Sequence, residues 1–158
     1  MVQYGAMNPT RKVPTLVDGD HVLWESNTIL RYLAAKAHSD LLPADPGARA
    51  KVECWMDWML AVLNPPYLAG FRDARKPEPE RGATVGQDLH AELALLAAQV
   101  ADQAWMTGST FTLADVALAP VVVRCMAFPF GMRALPGLEA WRERLRARPA
   151  FMKAVAAG

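Results

Sequence analysis

Glu25 and Ser26 stand where a short apolar segment gives way to an amphipathic helix. The pattern predicts that helix over Asn27–Lys36, with Ser26 as a good N-cap. Free backbone N–H groups and the positive end of the helix dipole meet at a helix N-terminus, and both favour a carboxylate. Glu25 and Ser26 are therefore candidates for binding an anionic group, while Ser26 serving only as a helix cap is the alternative.

Lys12 and Val13 come directly before a proline, Pro14, at the start of a predicted strand. A proline in the first residues of a strand removes no hydrogen bond that the ladder needs. Lys12 is either a ligand for a second anionic group or only a solvated charge at the end of the strand. The sequence leaves both interpretations open.

Residues that bind metals or attack substrates are otherwise scattered. Cys54 and Cys125 form no CxxC pair, and so few cysteines are typical of a reducing compartment, which favours a cytoplasmic location. The three histidines lack the spacing of metal ligands, so we expect no metal site. They are His21, His38 and His90.

The elements that position these residues fall into two parts. Before residue 43, a hairpin over 13–24 with an Asp18-Gly19 turn precedes the helix over 27–36, and the proline-containing segment 42–46 then breaks the chain. We therefore expect domains at 1–42 and 43–158, in an α+β fold that is mostly α. Helices are predicted over about 47–63, 67–71, 85–105, 113–123, 138–147 and 150–156. We expect Asn64-Pro65-Pro66 to stop the first of these helices.

Two features of the second part indicate buried surfaces. Thr112 and Asp115 have the spacing of a capping box, and they open an almost wholly apolar helix that we expect at the centre of the domain. The helix over 47–63 carries one apolar stripe that includes Trp55, Met59 and Leu60, and a second that includes Trp58 and Val62. A helix that is apolar on two sides has to bury both, which favours a homodimer.

Composition excludes several classes of protein. The 158 residues are 53% hydrophobic and 21% charged, with a formal net charge of +1, which gives no electrostatic footprint for nucleic acid or an anionic membrane. Charges or prolines interrupt every apolar run before the length of a transmembrane helix, and the N-terminal residues do not resemble a signal peptide. We therefore expect no nucleic acid and no membrane among the partners.

Three separated motifs resemble those of cytosolic glutathione S-transferases of the bacterial type. Residues 8–16 read Asn-Pro-Thr-Arg-Lys-Val-Pro-Thr-Leu, similar to the family's Asn-Pro-x-Gly-Lys-Val-Pro-x-Leu. Residues 25–29 read Glu-Ser-Asn-Thr-Ile, similar to Glu-Ser-x-x-Ile, and residues 111–118 resemble the capping motif of the family's buried helix. The motifs occur in the family's order, and the resemblance spans essentially the whole chain.

The resemblance implies a partial thioredoxin-like domain followed by an all-helical transferase domain. It implies a cis peptide bond at Pro14, with the Val13 backbone pairing with glutathione as a strand would. It also implies that Ser26 and Glu25 hold the γ-glutamyl carboxylate and that Lys12 reaches the glycine carboxylate. The implied activity is conjugation of the glutathione thiol to a small apolar electrophile, with a role in detoxification.

The chain departs from the family's pattern in two respects. Arg11 stands where the family usually has glycine, so either the turn differs or a cation is added beside the ligand. The family's first β-α-β unit carries the Tyr, Ser or Cys that activates the thiol, and seven residues before Asn8 are too few for it. We therefore expect no activating residue in this chain. A truncated gene product, a non-catalytic relative and completion of the strand edge by another chain are the open explanations.

The resemblance leaves other functions open as well. A non-catalytic module that binds ligands or dimerises is the main alternative, and a glutathione-dependent isomerase, reductase or dehalogenase is another. In the family, the helix that corresponds to 47–63 lines a pocket for the electrophile, which makes Trp55 and Met59 candidates for such a pocket. Plain core or dimer contact is the competing interpretation for both residues.

Overall fold

The computed structural model describes residues 2–155, and it divides into two compact units, 1–49 and 50–158. Most of the chain is helical, with one two-stranded sheet. The predicted α+β class with a predominance of helix is therefore confirmed. The predicted domain boundary between residues 42 and 43 stays a prediction, because the first turn of the next helix groups with the first unit.

The first unit contains helix α1 (Val2–Met7), strands β1 (Thr15–Asp18) and β2 (His21–Trp24), and helix α2 (Ser26–Lys36). The strands pair antiparallel, and the turn between them uses a positive φ of 59° at Gly19, as the sequence predicts. Helix α1 is absent from the sequence-based prediction, because six residues without an apolar period give no helical signal.

Asp18 ties the hairpin to α2. Its Oδ2 accepts hydrogen bonds from the Tyr32 hydroxyl, at 2.8 Å, and from the Lys36 ammonium. The bond from Lys36, followed by the bond from Tyr32, holds the pKa of the Asp18 carboxyl below its usual value. The helix therefore stands on the face of the sheet that carries Asp18.

Helix α3 (Pro46–Trp58) runs into a π-helical turn (Met59–Leu63) and then directly into α4 (Asn64–Asp73). The prediction that Asn64-Pro65-Pro66 ends the helix is wrong. Pro65 and Pro66 fall in the first turn of α4, where a proline removes no hydrogen bond that the helix needs. The π-helical turn adds a residue per turn, which rotates Leu60 out of the predicted buried stripe and leaves it 36% exposed.

The rest of the second unit is helical. A 3-10 turn (Glu78–Glu80) leads to α5 (Val85–Gln99), α6 (Leu113–Met126), α7 (Pro136–Arg146) and α8 (Pro149–Val155). Helix α5 ends at Gln99 rather than near 105, because side-chain amides of Gln99 and Gln103 both donate to the Met106 carbonyl and close a turn instead. The predicted end of the last helix, Ala156, lies outside the described residues.

Asp115 holds the centre of this unit together. The capping box with Thr112 is present, and Oδ1 of Asp115 also accepts from the backbone N–H of Met106 at 3.0 Å and from the indole N–H of Trp141 at 2.9 Å. Burial raises the pKa of the Asp115 carboxyl, and these donors oppose that effect in part. Both predictions, the capping box and the central buried helix, are confirmed.

The core of the second unit is formed by α5, α6 and α7 with one face of α3 and the π-helical turn. Its largest fully buried side chains include Met56, Leu63, Leu89, Leu93, Leu96, Leu118, Leu138, Trp141 and Leu145. No helix among the residues that the structure describes is long and apolar enough to cross a membrane.

Candidate functional site

Asn8 organises the loop that leads into β1. Its side chain is buried, and Nδ2 donates to the Lys12 carbonyl oxygen at 2.7 Å and to Oγ1 of Thr15 at 3.0 Å. Its Oδ1 accepts from the N–H and the hydroxyl of Thr10, at 2.9 and 2.7 Å. A buried amide that satisfies four groups of one loop fixes that loop in a single conformation.

Tyr4 adds a second donor to the same loop. Its hydroxyl donates to the Lys12 carbonyl oxygen at 2.8 Å and lies 2.8 Å from Oγ1 of Thr15. Two donors therefore hold the Lys12 carbonyl, immediately before Val13. The hydroxyl of Tyr4 is a structural anchor of the loop in this arrangement.

The backbone of Val13 stays accessible. The peptide bond between Val13 and Pro14 is cis, as the resemblance implies, and Val13 is 85% exposed. The ladder between β1 and β2 begins at Thr15, so the N–H and carbonyl groups of Val13 take no part in it. An extended peptide laid beside Val13 can therefore form strand-like hydrogen bonds with it.

Arg11 keeps the turn that a glycine would make. Its φ of 56° lies in the left-handed region, which favours glycine. The sequence leaves open whether Arg11 changes the turn or adds a cation beside the ligand. Because Arg11 adopts the conformation that glycine favours, a different turn is not required.

Glu25 makes the sharp connection between β2 and α2. It occupies the N-cap position with a φ of 71°, and its carbonyl oxygen accepts the N–H of Ile29 at 3.0 Å. Ser26 is the first residue of the helix, so its predicted role as the N-cap is wrong: the positive φ at Glu25 places the boundary one residue earlier. The Glu25 side chain forms no capping hydrogen bond.

The hairpin brings the two predicted halves of the site to one end. Thr15 pairs with Trp24, at the start of β1 and the end of β2. Lys12 and Val13 precede the first strand and Glu25 and Ser26 follow the second, so both pairs lie at the same end of the hairpin. Lys12, Val13 and Glu25 are exposed and Ser26 is half-buried.

Trp55 and Met59 lie in the second unit. Met59 is 5% exposed and belongs to the core, while Trp55 is half-buried and its ring meets that of Trp58 edge-on, with centroids 5.6 Å apart. A pocket for an electrophile at these residues remains a prediction. Among the described residues, no group of three or more His, Cys, Asp or Glu side chains is placed to hold a metal ion.

The two cysteines differ in their surroundings. Cys54 is exposed on α3, and Cys125 is fully buried in α6. Burial raises the pKa of the Cys125 thiol to about 12, so it is not a thiolate near neutral pH.

Asn8, Thr10 and Tyr4 are not among the candidates that the sequence suggests. Asn8 and Thr10 belong to the motif of residues 8–16, so the signal for their role is present in the sequence, but only as part of a pattern. Nothing in the spacing of Tyr4 indicates that its hydroxyl reaches Lys12 and Thr15, because that contact depends on α1.

Comparisons with known proteins point to one family. The family model "Glutathione S-transferase, C-terminal domain" matches residues 65–144, and "Glutathione S-transferase, N-terminal domain" matches residues 2–35. Glutathione S-transferase GstB of Escherichia coli strain K12 is 37% identical over 160 residues, which are 95% of this chain and 76% of the relative. Glutathione S-transferase 3 of Zea mays is 38% identical over 170 residues, which are 96% and 74% of the two chains.

A solved structure points to the same family as these relatives. A theta class glutathione S-transferase from Xanthomonas axonopodis pv. citri, with glutathione bound, superposes with a TM-score of 0.89 at 37% identity, covering 97% of this chain and 76% of that one. The chain thus spans about three quarters of the length of these proteins. Because identity, coverage and fold agree across both units, this chain belongs to the glutathione S-transferase family.

Proposed function

We propose that this protein binds reduced glutathione at the end of the hairpin that carries Val13 and Ser26. The accessible Val13 backbone pairs with the peptide, and the Ser26 hydroxyl and the first-turn N–H groups of α2 bind the γ-glutamyl carboxylate. Glu25 attracts the α-ammonium group beside that carboxylate, and Lys12 attracts the glycine carboxylate at the other end.

The observation that carries this proposal is the position of Ser26. As the first residue of α2, it lies at the helix end where the dipole and the orientation of the first-turn N–H groups favour an anion, and Glu25 occupies the N-cap position in its place. This position supports ligand binding by Ser26 over the alternative in which Ser26 is only a cap.

We also propose that the bound thiol attacks a small apolar electrophile. The sulfur lone pair forms a carbon–sulfur bond as the leaving group departs with its bonding electrons, and the thiol proton passes to solvent. The free thiol has a pKa near 8.5, so about a few per cent is thiolate at neutral pH. Trp55, which is half-buried, is the proposed apolar contact of the electrophile, whereas Met59 packs in the core.

A second candidate function is glutathione binding without catalysis. Two observations favour it: the Tyr4 hydroxyl is engaged by Lys12 and Thr15, and Cys125 is buried with a raised pKa. Neither group is placed to activate a thiol.

The homodimer and a cytoplasmic location are also proposals. The homodimer rests on the exposed apolar face of α3 and the π-helical turn, and the cytoplasmic location rests on the two free cysteines.

Calorimetric titration of reduced glutathione into the 158-residue protein tests binding. A hydrogen bond to a charged group stabilises a complex enough that Ser26→Ala should weaken binding by roughly tenfold or more. Ser109→Ala, in an exposed turn of the second unit, is the matched control and should leave binding unchanged. Equal affinities for the two variants would disprove the role of Ser26, and the absence of binding by the unmodified protein would disprove the site.

An assay of the same samples with a chromogenic electrophile separates the two candidate functions. Turnover that follows glutathione affinity across the variants supports conjugation. Binding without turnover supports the non-catalytic function.

A further inference from the structure

Strand β1 has one edge without a partner strand. In the part of the chain that the structure describes, the sheet has two strands, so β1 pairs with β2 on one side only. The helices of this unit contact the faces of the hairpin: the Tyr32 hydroxyl of α2 donates to Asp18, and the Tyr4 hydroxyl of α1 lies 2.8 Å from Oγ1 of Thr15. Asp18 and Thr15 point to opposite faces of β1, so these two helix contacts leave its edge open.

The register of the hairpin shows which backbone groups face this edge. Asp18 and His21 flank the two-residue turn, so they form the hydrogen-bonded pair that closes it. Hydrogen-bonded and non-hydrogen-bonded pairs alternate along an antiparallel ladder. The N–H and carbonyl groups of Thr15 and Val17 therefore point away from β2. Among the described residues, neither has a backbone–backbone hydrogen bond outside the hairpin, and Val17 is 55% exposed.

The two ends of β1 carry opposite charges. Lys12 precedes the strand, Asp20 follows it in the turn, and both are exposed. Within the described chain, neither side chain takes part in an ion pair. A second copy of β1 that runs antiparallel to the first brings each end next to the opposite charge. The edge of β1 is therefore complementary to itself.

The outer edge of β2 is also open, but its charges oppose such pairing. Asp20 precedes β2 and Glu25 follows it, so both ends of this strand are acidic. Antiparallel pairing of two copies along β2 brings carboxylates of the two chains near one another, which is unfavourable. Charge therefore favours the edge of β1 over the edge of β2 for pairing between copies.

We propose that two copies of this chain pair antiparallel along β1 and form one continuous four-stranded sheet. The two-fold axis lies between the two Leu16 residues, which places Thr15 of each copy opposite Val17 of the other. Each of these pairs exchanges two backbone hydrogen bonds. A sheet of more than two strands is also more stable than a lone hairpin. The contact is small, so the association is weak and depends on concentration.

The same register accounts for the residues that flank the strand. Lys12 lies opposite Asp20 of the second copy. Pro14 lies opposite Asp18 of the second copy, where the backbone groups of a strand point away from the new edge. The N–H group that a proline lacks therefore costs the interface no hydrogen bond.

Amide hydrogen exchange tests this contact in the ¹⁵N-labelled protein across a range of protein concentrations. We expect the amides of Thr15 and Val17 to become protected as the concentration rises, because they donate to the second copy. The amides of Val22 and Trp24 face the outer edge of β2 and should exchange at the same rate throughout. Val62→Glu should leave the protection of Thr15 unchanged, since the apolar face of α3 is a separate surface.

A pair of proline variants isolates the edge from the hairpin. Val17→Pro removes an N–H group from each side of the interface and should raise the dissociation constant about tenfold or more. Val22→Pro is the matched control, because Val22 lies directly opposite Val17 in the hairpin and its N–H group faces the outer edge of β2. It should leave the protection of Thr15 intact.

Charge reversal tests the register. Lys12→Glu should weaken the association severalfold, because a carboxylate then faces Asp20 of the second copy. Asp20→Lys should do the same, and the double variant should recover the original affinity. The two residues lie at opposite ends of β1, so recovery has no explanation within a single chain.

Four results would overturn the proposal. They are exchange at Thr15 and Val17 that does not change with concentration, equal losses of protection in Val17→Pro and Val22→Pro, a double charge variant no tighter than the single ones, and loss of the protection in Val62→Glu. The last of these would assign the association to the face of α3 instead.

Discussion

Asp115 is the single residue on which the second unit depends most. Its buried carboxylate accepts from the backbone of Thr112 at 3.1 Å, as well as from Met106 and from Trp141. Two of these donors come from the segment that leads into α6, and the third comes from α7. Removing one acceptor oxygen therefore leaves a buried N–H group without a partner, which costs more than an ordinary surface hydrogen bond.

Asp115→Asn should lower the free energy of unfolding by about 3 kcal/mol, because an amide presents N–H groups where two of the donors need an oxygen. Urea unfolding followed by tryptophan fluorescence measures the change. Asp102→Asn, in the exposed turn after α5, is the control and should stay within about 0.5 kcal/mol. Similar losses in the two variants would contradict the central role of Asp115.

Single residues also mark what the sequence could and could not predict. The pairing of Thr112 with Asp115 is readable, because a capping box has a fixed local spacing. The N-cap at Glu25 is not, because its positive φ is imposed by the connection between β2 and α2 rather than by its residue type. The same is true of Arg11, where a residue other than glycine adopts the conformation that glycine prefers.

For helices and strands, the sequence predicts which elements exist better than it predicts where they begin and end. The hairpin follows from Asp18-Gly19 between apolar segments, and α6 follows from its almost continuous apolar sequence. The continuation of α3 through Pro65 and Pro66 does not follow, since it depends on a π-helical turn that no local pattern indicates. Tertiary packing against α5 and α6 decides that continuation.

A close backbone approach between α5 and α7 gives a direct test of packing. A Cβ at Gly137, at the start of α7, would lie 2.5 Å from the Ala97 carbonyl oxygen of α5. Gly137→Ala should therefore destabilise the protein by about 1–3 kcal/mol, as overpacking does elsewhere. Thermal unfolding measures this loss.

Gly47→Ala is the matched control for Gly137→Ala. Gly47 lies in the first turn of α3, and a Cβ added there would have Asp45 Oδ1, at 3.4 Å, as its one neighbour within 4 Å. Replacement of a helical glycine by alanine then gains up to about 1 kcal/mol. A Gly137→Ala protein as stable as the Gly47→Ala protein would show that α7 can move away from α5 without loss.

At the scale of the whole molecule, the apolar face that remains exposed is the strongest indication of assembly. Cys54, Ala61 and Val62 are exposed along α3 and the π-helical turn, and Val62 keeps 39% of its surface accessible. The opposite face, with Met56 and Leu63, is fully buried in the core. One helix therefore carries a complete core face and a second apolar face in solvent, which is typical of an interface between subunits.

Val62→Glu should weaken a homodimer built on this face by at least roughly tenfold, because it removes apolar contact and places a charge without a partner in the interface. Analytical ultracentrifugation across a range of protein concentrations measures the dissociation constant. Leu95→Glu is the control. Leu95 lies on α5 outside this face and is 47% exposed, so this variant introduces the same charge at an apolar residue that is at least as exposed as Val62. If the unmodified chain sediments as a monomer at micromolar concentration, or if both variants dissociate equally, this face is not the interface.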